Sequence, residues 1–397
     1  MTAVHETQGG AVLSPTRRRI ALMALALGGF GIGSAEFVSM GLLPQIAQGL
    51  LPEMMAADPE QGVARAGWAI TAYALGVVVG APLLSLLAVR LSRTRLIVVF
   101  AGLLCVSTLA SGLMPSFELT LLARFIAGLP HGAYLGVASL LAASLMGPGS
   151  QGKGAAVALS GLTVANLVGV PMLTALGQAA GWRAAFLTIA AVFALTAVLV
   201  ATTIRSQPAP QGRRIQDELR AFSRVQLWVV MLIAAVGFAV FSYIADIGQQ
   251  VAGMSAGFIP VLLAVAGLGM TIGNAIGGFT TDRSLDRTLL VAFPLYIAAM
   301  VLLVSVVTDP VGLSIAFFLT NMGHATLGPA MQTWLMRIAG PSEMLGASLH
   351  HAAFNVANAL GALLGSFALL RLRSRRFRRE LDTAQVPVQS PEAASAR

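Results

Sequence analysis

Long apolar runs separated by short polar breaks constrain this chain more than any other feature. They fall at 20–43, 67–89, 96–113, 117–146, 154–177, 183–204, 225–247, 257–281, 288–308, 311–337 and 344–370. A helix needs ~20 residues to cross a ~30 Å hydrocarbon core, and each run is about that long. Gly and Pro recur inside them, which membrane helices tolerate because neighbouring helices satisfy the freed backbone groups. Only 10% of the 397 residues are charged, against about 25% in soluble domains. Two or three soluble domains of this length would lack the charge to cover their surfaces, so lipid is the expected solvent. The net charge of +9 does not mark a nucleic-acid binder, because the arginines sit between apolar runs without interleaved aromatic residues. The single cysteine, Cys105, lies within an apolar run, so neither a disulfide nor a cysteine metal site is expected. The first run is one of many and has no small-residue cleavage site, so it is not read as a cleaved leader.

Loop charge orients the bundle. With the N-terminus inside, the inner segments carry fifteen Arg and Lys residues, beginning with Arg17, Arg18 and Arg19, while the outer loops carry only Arg65 and Arg183. Positive charge concentrates on the cytoplasmic side. The expectation is a multi-pass protein of a bacterial plasma (inner) membrane with its N-terminus in the cytoplasm. Its parts are a cytoplasmic tail at 1–19, a six-helix half at 20–204 and a cytoplasmic linker at 205–224. A second half at 225–370 shows five runs, and a polar, Arg-rich tail at 371–397 follows, expected to be disordered.

The two halves repeat. A shift of 193 residues lays Gly76 on Gly269, Gly80 on Gly273, Arg90 on Arg283 and His131 on His324. A shift of 192 lays "ANLVG" (165–169) on "ANALG" (357–361). Matches in the same order and orientation indicate parallel helical halves, and transporters built this way bind substrate between them. Two look-alikes carry no nucleotide chemistry. "GPGSQGKG" (147–154) ends in Gly154 where a phosphate loop needs Ser or Thr, and it joins two membrane runs. "GFGIG" (29–33) is small-residue helix packing. No cofactor is expected, and without an ATP site any transport must draw on an ion gradient or the substrate's own.

The chain resembles the major facilitator superfamily over about residues 17–370. The likeness rests on "AEFVSMGLLPQIA", "YALGVVVGAPLLSLL", "LLARFIAGLPHGAYLGVASLLAAS", "GLTVANLVGVPMLTALGQAAGWRAAF" and "GLGMTIGNAIGGFTTDRSLDRTLL". It is closest to the drug:proton and sugar-efflux antiporter branch, which includes arabinose-efflux and chloramphenicol-resistance-like permeases. The resemblance implies an all-α integral membrane fold, the major-facilitator fold of two pseudo-repeated halves. It implies twelve spans, of which eleven are visible. The family's gating motif, Gly-x-x-x-Asp-Arg, stands as Gly278, Asp282 and Arg283. Its first-half copy has Val89 in place of the acid, with Arg90 and Arg93 following, so that gate is expected to lack one charge partner. The antiporter motif is matched by Gly161, Gly169 and Pro171, with one residue inserted into the usual Gly-Pro pair. The resemblance also implies a part in proton coupling for Arg124.

Few polar groups interrupt the runs. Glu36 lies ~24 Å along the first helix from Ile20 at 1.5 Å per residue, in the outer half of the core. A carboxyl held out of water favours its neutral form, and intramembrane acids are functional by default. Glu36 is therefore a candidate proton carrier, against the competing reading of a structural carboxyl bonded to a neighbouring helix. Arg124 enters its run to a depth of ~10 Å, close to that of Glu36, so either an ion pair with Glu36 or bonding to backbone carbonyls is expected. His131, two turns further on, and its repeat mate His324 are candidates for the cavity wall or for simple packing. His351, Asn355 and Asn358 form one polar stripe with Asn166 as counterpart, suited to substrate contact or to helix adhesion. Asp246 reads as a solvated helix-end acid. No third ligand accompanies any of these, so no metal is expected.

The expected function is secondary active transport, proton-coupled efflux of a small organic molecule, with the bilayer and protons as the other partners. An uptake symporter or facilitator of the same fold is the alternative. An intramembrane enzyme would have only His350 and His351 to offer, and a sensor would need a signalling domain. By the 192-residue shift residues 182–204, which hold the sixth run, map onto residues 374–396, which are too polar to enter a bilayer. A frame shift near Leu370 or a natural truncation is the expected cause, with impaired transport. Eleven spans leave the tail outside even though it opens with Arg371, Arg373, Arg375, Arg376, Arg378 and Arg379. A reporter fused after residue 397 should accordingly read the outside. A tail found inside overturns both the span count and the orientation.

Overall fold

The computed structural model describes residues 13–87, 91–204, 220, 244, 247–255 and 258–356. Val89, Arg90, Asp246, Asn358 and the tail at 371–397 lie outside the described residues. So do nearly all of the linker at 205–224 and of the run at 225–247, and the run at 344–370 beyond residue 356. The described residues contain no strand.

Helix α1 (Pro15–Gly41) starts behind Ser14, whose hydroxyl oxygen accepts from the Arg17 N–H. Three short helices follow, α2 (Leu43–Leu50), α3 (Pro52–Ala57) and α4 (Pro59–Ala66). Hydropathy leaves this stretch unassigned, yet each helix has a proline in its first turn, where a missing N–H leaves no bond unmade. Next come α5 (Trp68–Leu87), α6 (Arg93–Leu113) and α7 (Phe117–Met146). Then α8 (Gln151–Val164) runs through a π turn (Ala165–Gly169) into α9 (Val170–Ala180), and α10 (Trp182–Thr203) closes the group. Beyond it lie α11 (Ile259–Arg283), α12 (Leu285–Ser305), α13 (Pro310–Ala339) and helical residues 343–356. Eight helices among the described residues are long and apolar enough to cross a membrane. Helix α13 is as long as α7, but Asn321, His324 and Gln332 interrupt its apolar character.

The end of the bundle at which α1 begins is called the near face below. There Arg17 ties α1 to α10, its Nε and Nη2 donating to the Thr203 and Thr202 carbonyls at 2.9 and 2.7 Å. These are carbonyls that the end of a helix leaves without an internal partner.

The π turn accounts for the residue inserted before Pro171. Val170 N–H donates to the Ala165 carbonyl, five residues back. A π turn takes up one residue more than an α turn, and Pro171 has no N–H with which to continue the α ladder. The insertion is absorbed without breaking the helix.

The repeated glycines make the same joint in each half. A Cβ on Gly76 would stand 2.1 Å from the Phe125 carbonyl oxygen, and one on Gly269 2.6 Å from that of Phe318. Gly80 and Gly273 would each meet a carbonyl oxygen at 2.0 Å, of Leu129 and Met322 respectively. Phe318 and Met322 are the 193-residue mates of Phe125 and Leu129. So α5 lies on α7 as α11 lies on α13, backbone against backbone. Helices α7 and α13 then meet each other: Gln332 Nε2 donates to Ser139 Oγ at 3.0 Å, and these two residues are also 193 apart. A residue that touches its own repeat mate lies on the pseudo-two-fold axis.

Gly80→Ala and Gly273→Ala should each destabilise the protein by ~1–3 kcal/mol, the usual cost of overpacking. Gly102→Ala, whose new Cβ meets nothing within 4 Å, should change little. Unfolding in detergent compares the three. Equal stability for all would mean that the joints spread freely and do not fix the fold.

Candidate functional site

Helix α7 carries the first polar centre. Arg124 is wholly buried, and a buried guanidinium needs acceptors for its donor fork. Its Nη1 donates to the Ala35 carbonyl of α1 at 2.9 Å and its Nε to the Ala69 carbonyl of α5 at 3.2 Å. The guanidinium lies 4.3 Å from the centre of the Tyr73 ring. The ion pair with Glu36 is not formed, because two carbonyls hold the fork and the ring fixes its plane. Arg124 instead grips the carbonyl of the residue just before Glu36. Glu36 is 3% exposed. Both of its oxygens, and Arg124 Nη2, have no hydrogen-bond partner among the described residues.

Tyr73 leads from this centre to a second one. Its hydroxyl lies 3.1 Å from His131 Nδ1, and the His131 ring lies 5.7 Å from that of His351. His350 and His351 stand ring to ring at 5.2 Å. They border a cavity of about 90 Å³ between the two groups of helices. From α7 and α8 it takes His131, Leu162 and Thr163, and from the other side Asn274, Tyr296, His324, His350 and His351. Four of the chain's five histidines therefore meet here. The described lining holds no Asp, Glu, Lys or Arg. Such a void is well below the ~300 Å³ and more of a typical ligand pocket. His350 Nδ1, His351 Nε2 and Asn274 Oδ1 are buried without a hydrogen-bond partner among the described residues.

The expected amides lie elsewhere. Asn355 donates through Nδ2 to the His351 carbonyl of its own helix at 3.1 Å and is not in the lining. Asn166 lies half-buried in the π turn, also outside the lining. In their place stands Asn274, whose Nδ2 donates to the Ala156 carbonyl at 2.8 Å. A lone amide in an apolar run was its signal. Tyr73, Tyr296 and His350 have no repeat mate of like type to mark them.

At the near face, charges cross between the groups. Asp282 accepts from the Gly152 and Lys153 N–H groups at 2.6 and 3.2 Å, with Lys153 Nζ at 3.7 Å. Gly278 brings α11 close to α8, a Cβ there falling 2.4 Å from that of Ala156. Arg283 stacks on Phe279 at 4.2 Å. Arg93 Nη2 pairs with Glu343 Oε2 at 3.3 Å, so the acid on the first-half side comes from the opposite group of helices. Gly161 lies against the α1 backbone, where a Cβ would meet the Ala26 carbonyl oxygen at 2.0 Å, and Gly169 lies against the Phe30 ring. Among the described residues no three His, Cys, Asp or Glu side chains are placed to hold a metal.

The sequence profile of the Major Facilitator Superfamily matches residues 25–369. The inner membrane transport protein YdhP of Escherichia coli (strain K12) is 32% identical over 348 residues, 87% of each chain. The chloramphenicol resistance protein of Streptomyces lividans is 31% identical over 356 residues, 88% of each chain. Among solved structures the proton:xylose symporter XylE superposes with a TM-score of 0.71 over 90% of each chain, at 14% identity, which speaks to the fold alone.

Removing Arg124 removes two buried hydrogen bonds from a charged donor, to the Ala35 and Ala69 carbonyls. Arg124→Ala should therefore lower stability by ~1–3 kcal/mol for each lost bond to the charged group. Tyr73→Phe keeps the stacking partner and loses only the bond to His131, about 1 kcal/mol. Unfolding in detergent ranks the two variants, and a Tyr73→Phe loss as large as that of Arg124→Ala would contradict this account of the site.

Proposed function

The chain belongs to the major facilitator superfamily, and we propose that this membrane transporter exports small uncharged organic molecules in exchange for protons. It is a transporter and not an enzyme. The observation that carries the reading is Glu36, a carboxyl inside the bundle to which no described residue hydrogen-bonds. A carboxyl free of hydrogen bonds can exchange its proton without first breaking any. Arg124 holds α1 and α5 together beside it, and its open Nη2 is the natural partner once the carboxyl ionises.

The cavity supports the substrate class. Its walls combine aromatic and aliphatic surface with unpartnered His and Asn atoms, and among the described residues no fixed charge faces it. Such walls suit a neutral body carrying hydroxyl or amide groups. His131, His324 and His351 would contact it, with Asn274 and His350. The contacts from Arg124 through Tyr73 to His131 would link proton exchange at Glu36 to the substrate, since a turn of the guanidinium towards Glu36 moves the ring on which it stacks. Asn166 and Asn355 would then serve helix adhesion rather than binding.

Alternating access follows from the near face. With the N-terminus in the cytoplasm, as loop charge implies, the Asp282 and Arg93–Glu343 contacts close the cytoplasmic side, and the cycle must break them. Gly278 and Arg283 belong to that gate, and Arg90 is assigned to it by the repeat. Gly161, Gly169 and Pro171 would set the angle between α1 and the α8–α9 helix. Export rather than uptake draws support from the relative named for chloramphenicol resistance.

The test uses inside-out vesicles from a bacterium with the plasma membrane as destination, with and without an imposed pH gradient. The probes are neutral antimicrobials, chloramphenicol among them. Wild-type protein should accumulate at least one probe only with the gradient. Glu36→Gln keeps the shape but carries no proton, so accumulation should fall to background while the protein remains folded and still exchanges substrate downhill. Accumulation at wild-type rate with unchanged pH dependence would remove Glu36 from the mechanism.

A further inference from the structure

A second hollow lies outside the cavity between the halves, and of its lining the transport mechanism uses only Arg283. It is a groove of about 710 Å³ on the outer side of α11, α12 and α13. Along α12 its floor is aliphatic and small: Val291, Leu295, Ala298, Ala299 and Leu302. These recur at three- and four-residue steps, one face of a helix. Val291 and Leu295 are 58% and 63% exposed, so this face looks out of the bundle. From Val291 to Leu302 the stripe measures ~16 Å at 1.5 Å per residue, about half of a ~30 Å hydrocarbon core. Its length is therefore that of one leaflet.

The groove's mouth is polar and lies at the near face. Arg283 and Arg287 stand there, with Thr280, Ser284 and Thr288. Both threonines donate their hydroxyl protons within their own helices, to Ile276 and Ser284 carbonyls, and Ser284 Oγ accepts from the Arg287 N–H. The charged donors of the mouth are the two guanidinium groups. Among the described residues neither forms a salt bridge. Of the two acids nearby in sequence, Asp282 is engaged by α8 and Asp286 is not part of the lining. Two cations above an apolar channel one leaflet deep match a phosphate headgroup above an acyl chain. The chain's own Arg-rich tail would bring like charge to the same place.

We propose that this groove binds an anionic phospholipid, its phosphate at Arg283 and Arg287 and one acyl chain along α12. Basic pockets between membrane helices recognise anionic headgroups in this way. The lipid would fill the surface between α11, α12 and α13 and hold the end of α11 beside the gate.

The experiment uses delipidated full-length protein in detergent, read by native mass spectrometry and by thermal unfolding. The probes are phosphatidylglycerol, phosphatidylethanolamine and inorganic phosphate. Phosphatidylglycerol should remain bound and raise the unfolding temperature, with the zwitterionic lipid weaker and inorganic phosphate without effect. Arg283→Ala and Arg287→Ala should each weaken phosphatidylglycerol by about fivefold, the effect of one interfacial charge. Ala298→Trp should block the acyl channel with both charges intact. Both arginines are exposed and Arg283 loses only its stacking on Phe279, so lipid-free stability should change little, and that measurement separates lost binding from lost fold. Equal retention of the two lipids, or full phosphatidylglycerol binding in the double arginine variant, would overturn the proposal. Stabilisation by inorganic phosphate alone would overturn it in favour of a phosphate site, and a dimer abolished by Ala298→Trp in favour of a second copy of the chain.

Discussion

Two helix joints made at backbone distance set the rest of the structure. Inside a bilayer the hydrophobic effect does little to drive one helix onto another, and association depends on close packing. Gly76 and Gly80 let α5 settle on the α7 backbone, and Gly269 and Gly273 do the same for α11 on α13. Any side chain larger than hydrogen at these four positions would hold the helices apart. With each pair locked, α7 and α13 are presented to one another, and the Gln332–Ser139 bond marks where they cross the axis. The cavity forms beside that crossing, where His131 and His324 arrive by symmetry and His350 and His351 without it.

The same close packing decides where charge can be buried. A guanidinium in a dry interior needs acceptors on several sides, and a single α-helix has its carbonyls occupied by its own ladder. A carbonyl oxygen has a second lone pair, however. Helices α1 and α5 approach α7 closely enough for Ala35 and Ala69 to offer theirs. Arg124 is thereby satisfied by backbone rather than by a carboxylate, which leaves Glu36 uncommitted. A structural ion pair at this place would have tied up the carboxyl oxygens; here no described residue hydrogen-bonds them.

What could be read from the sequence follows from what leaves a mark there. Close approach demands glycine at fixed positions, so the joints appear as a repeat, and apolar length gives the helices to within a few residues. His131 and His324 stand out because the repeat pairs them. Bonds to backbone carbonyls leave no mark on the residues that supply them, so neither Ala35 nor Ala69 could be picked out as the acceptors of Arg124. Asn166 was named as the counterpart of the stripe at 351–358, yet it lies in a π turn, whose extra residue shifts the phase of the helix. Tyr73 and Asn274 depend on which helices meet, and His350 on where its helix runs past the cavity, none of which composition records. The helices α2, α3 and α4 are too short to register as hydropathy, though their prolines announce their starts.

The near face shows how one repeat keeps a contact after losing the residue that made it. In the second copy Asp282 reaches the first N–H groups of α8, an arrangement favoured by the positive end of the helix. The mate of Asp282 is Val89, which has no charge to offer the helical residues beginning at 343. Glu343 places an acid at that helix start from within, and Arg93 reaches it from the other group. The two contacts are not equivalent. Asp282 is 7% exposed and holds two backbone bonds, whereas Arg93 and Glu343 are 26% and 34% exposed and share one. Exposed pairs contribute ~0–1 kcal/mol and are screened by salt, so the Arg93–Glu343 pair taken by itself is the weaker contact. The near face is thus held by two unlike contacts, although the helices that carry them repeat.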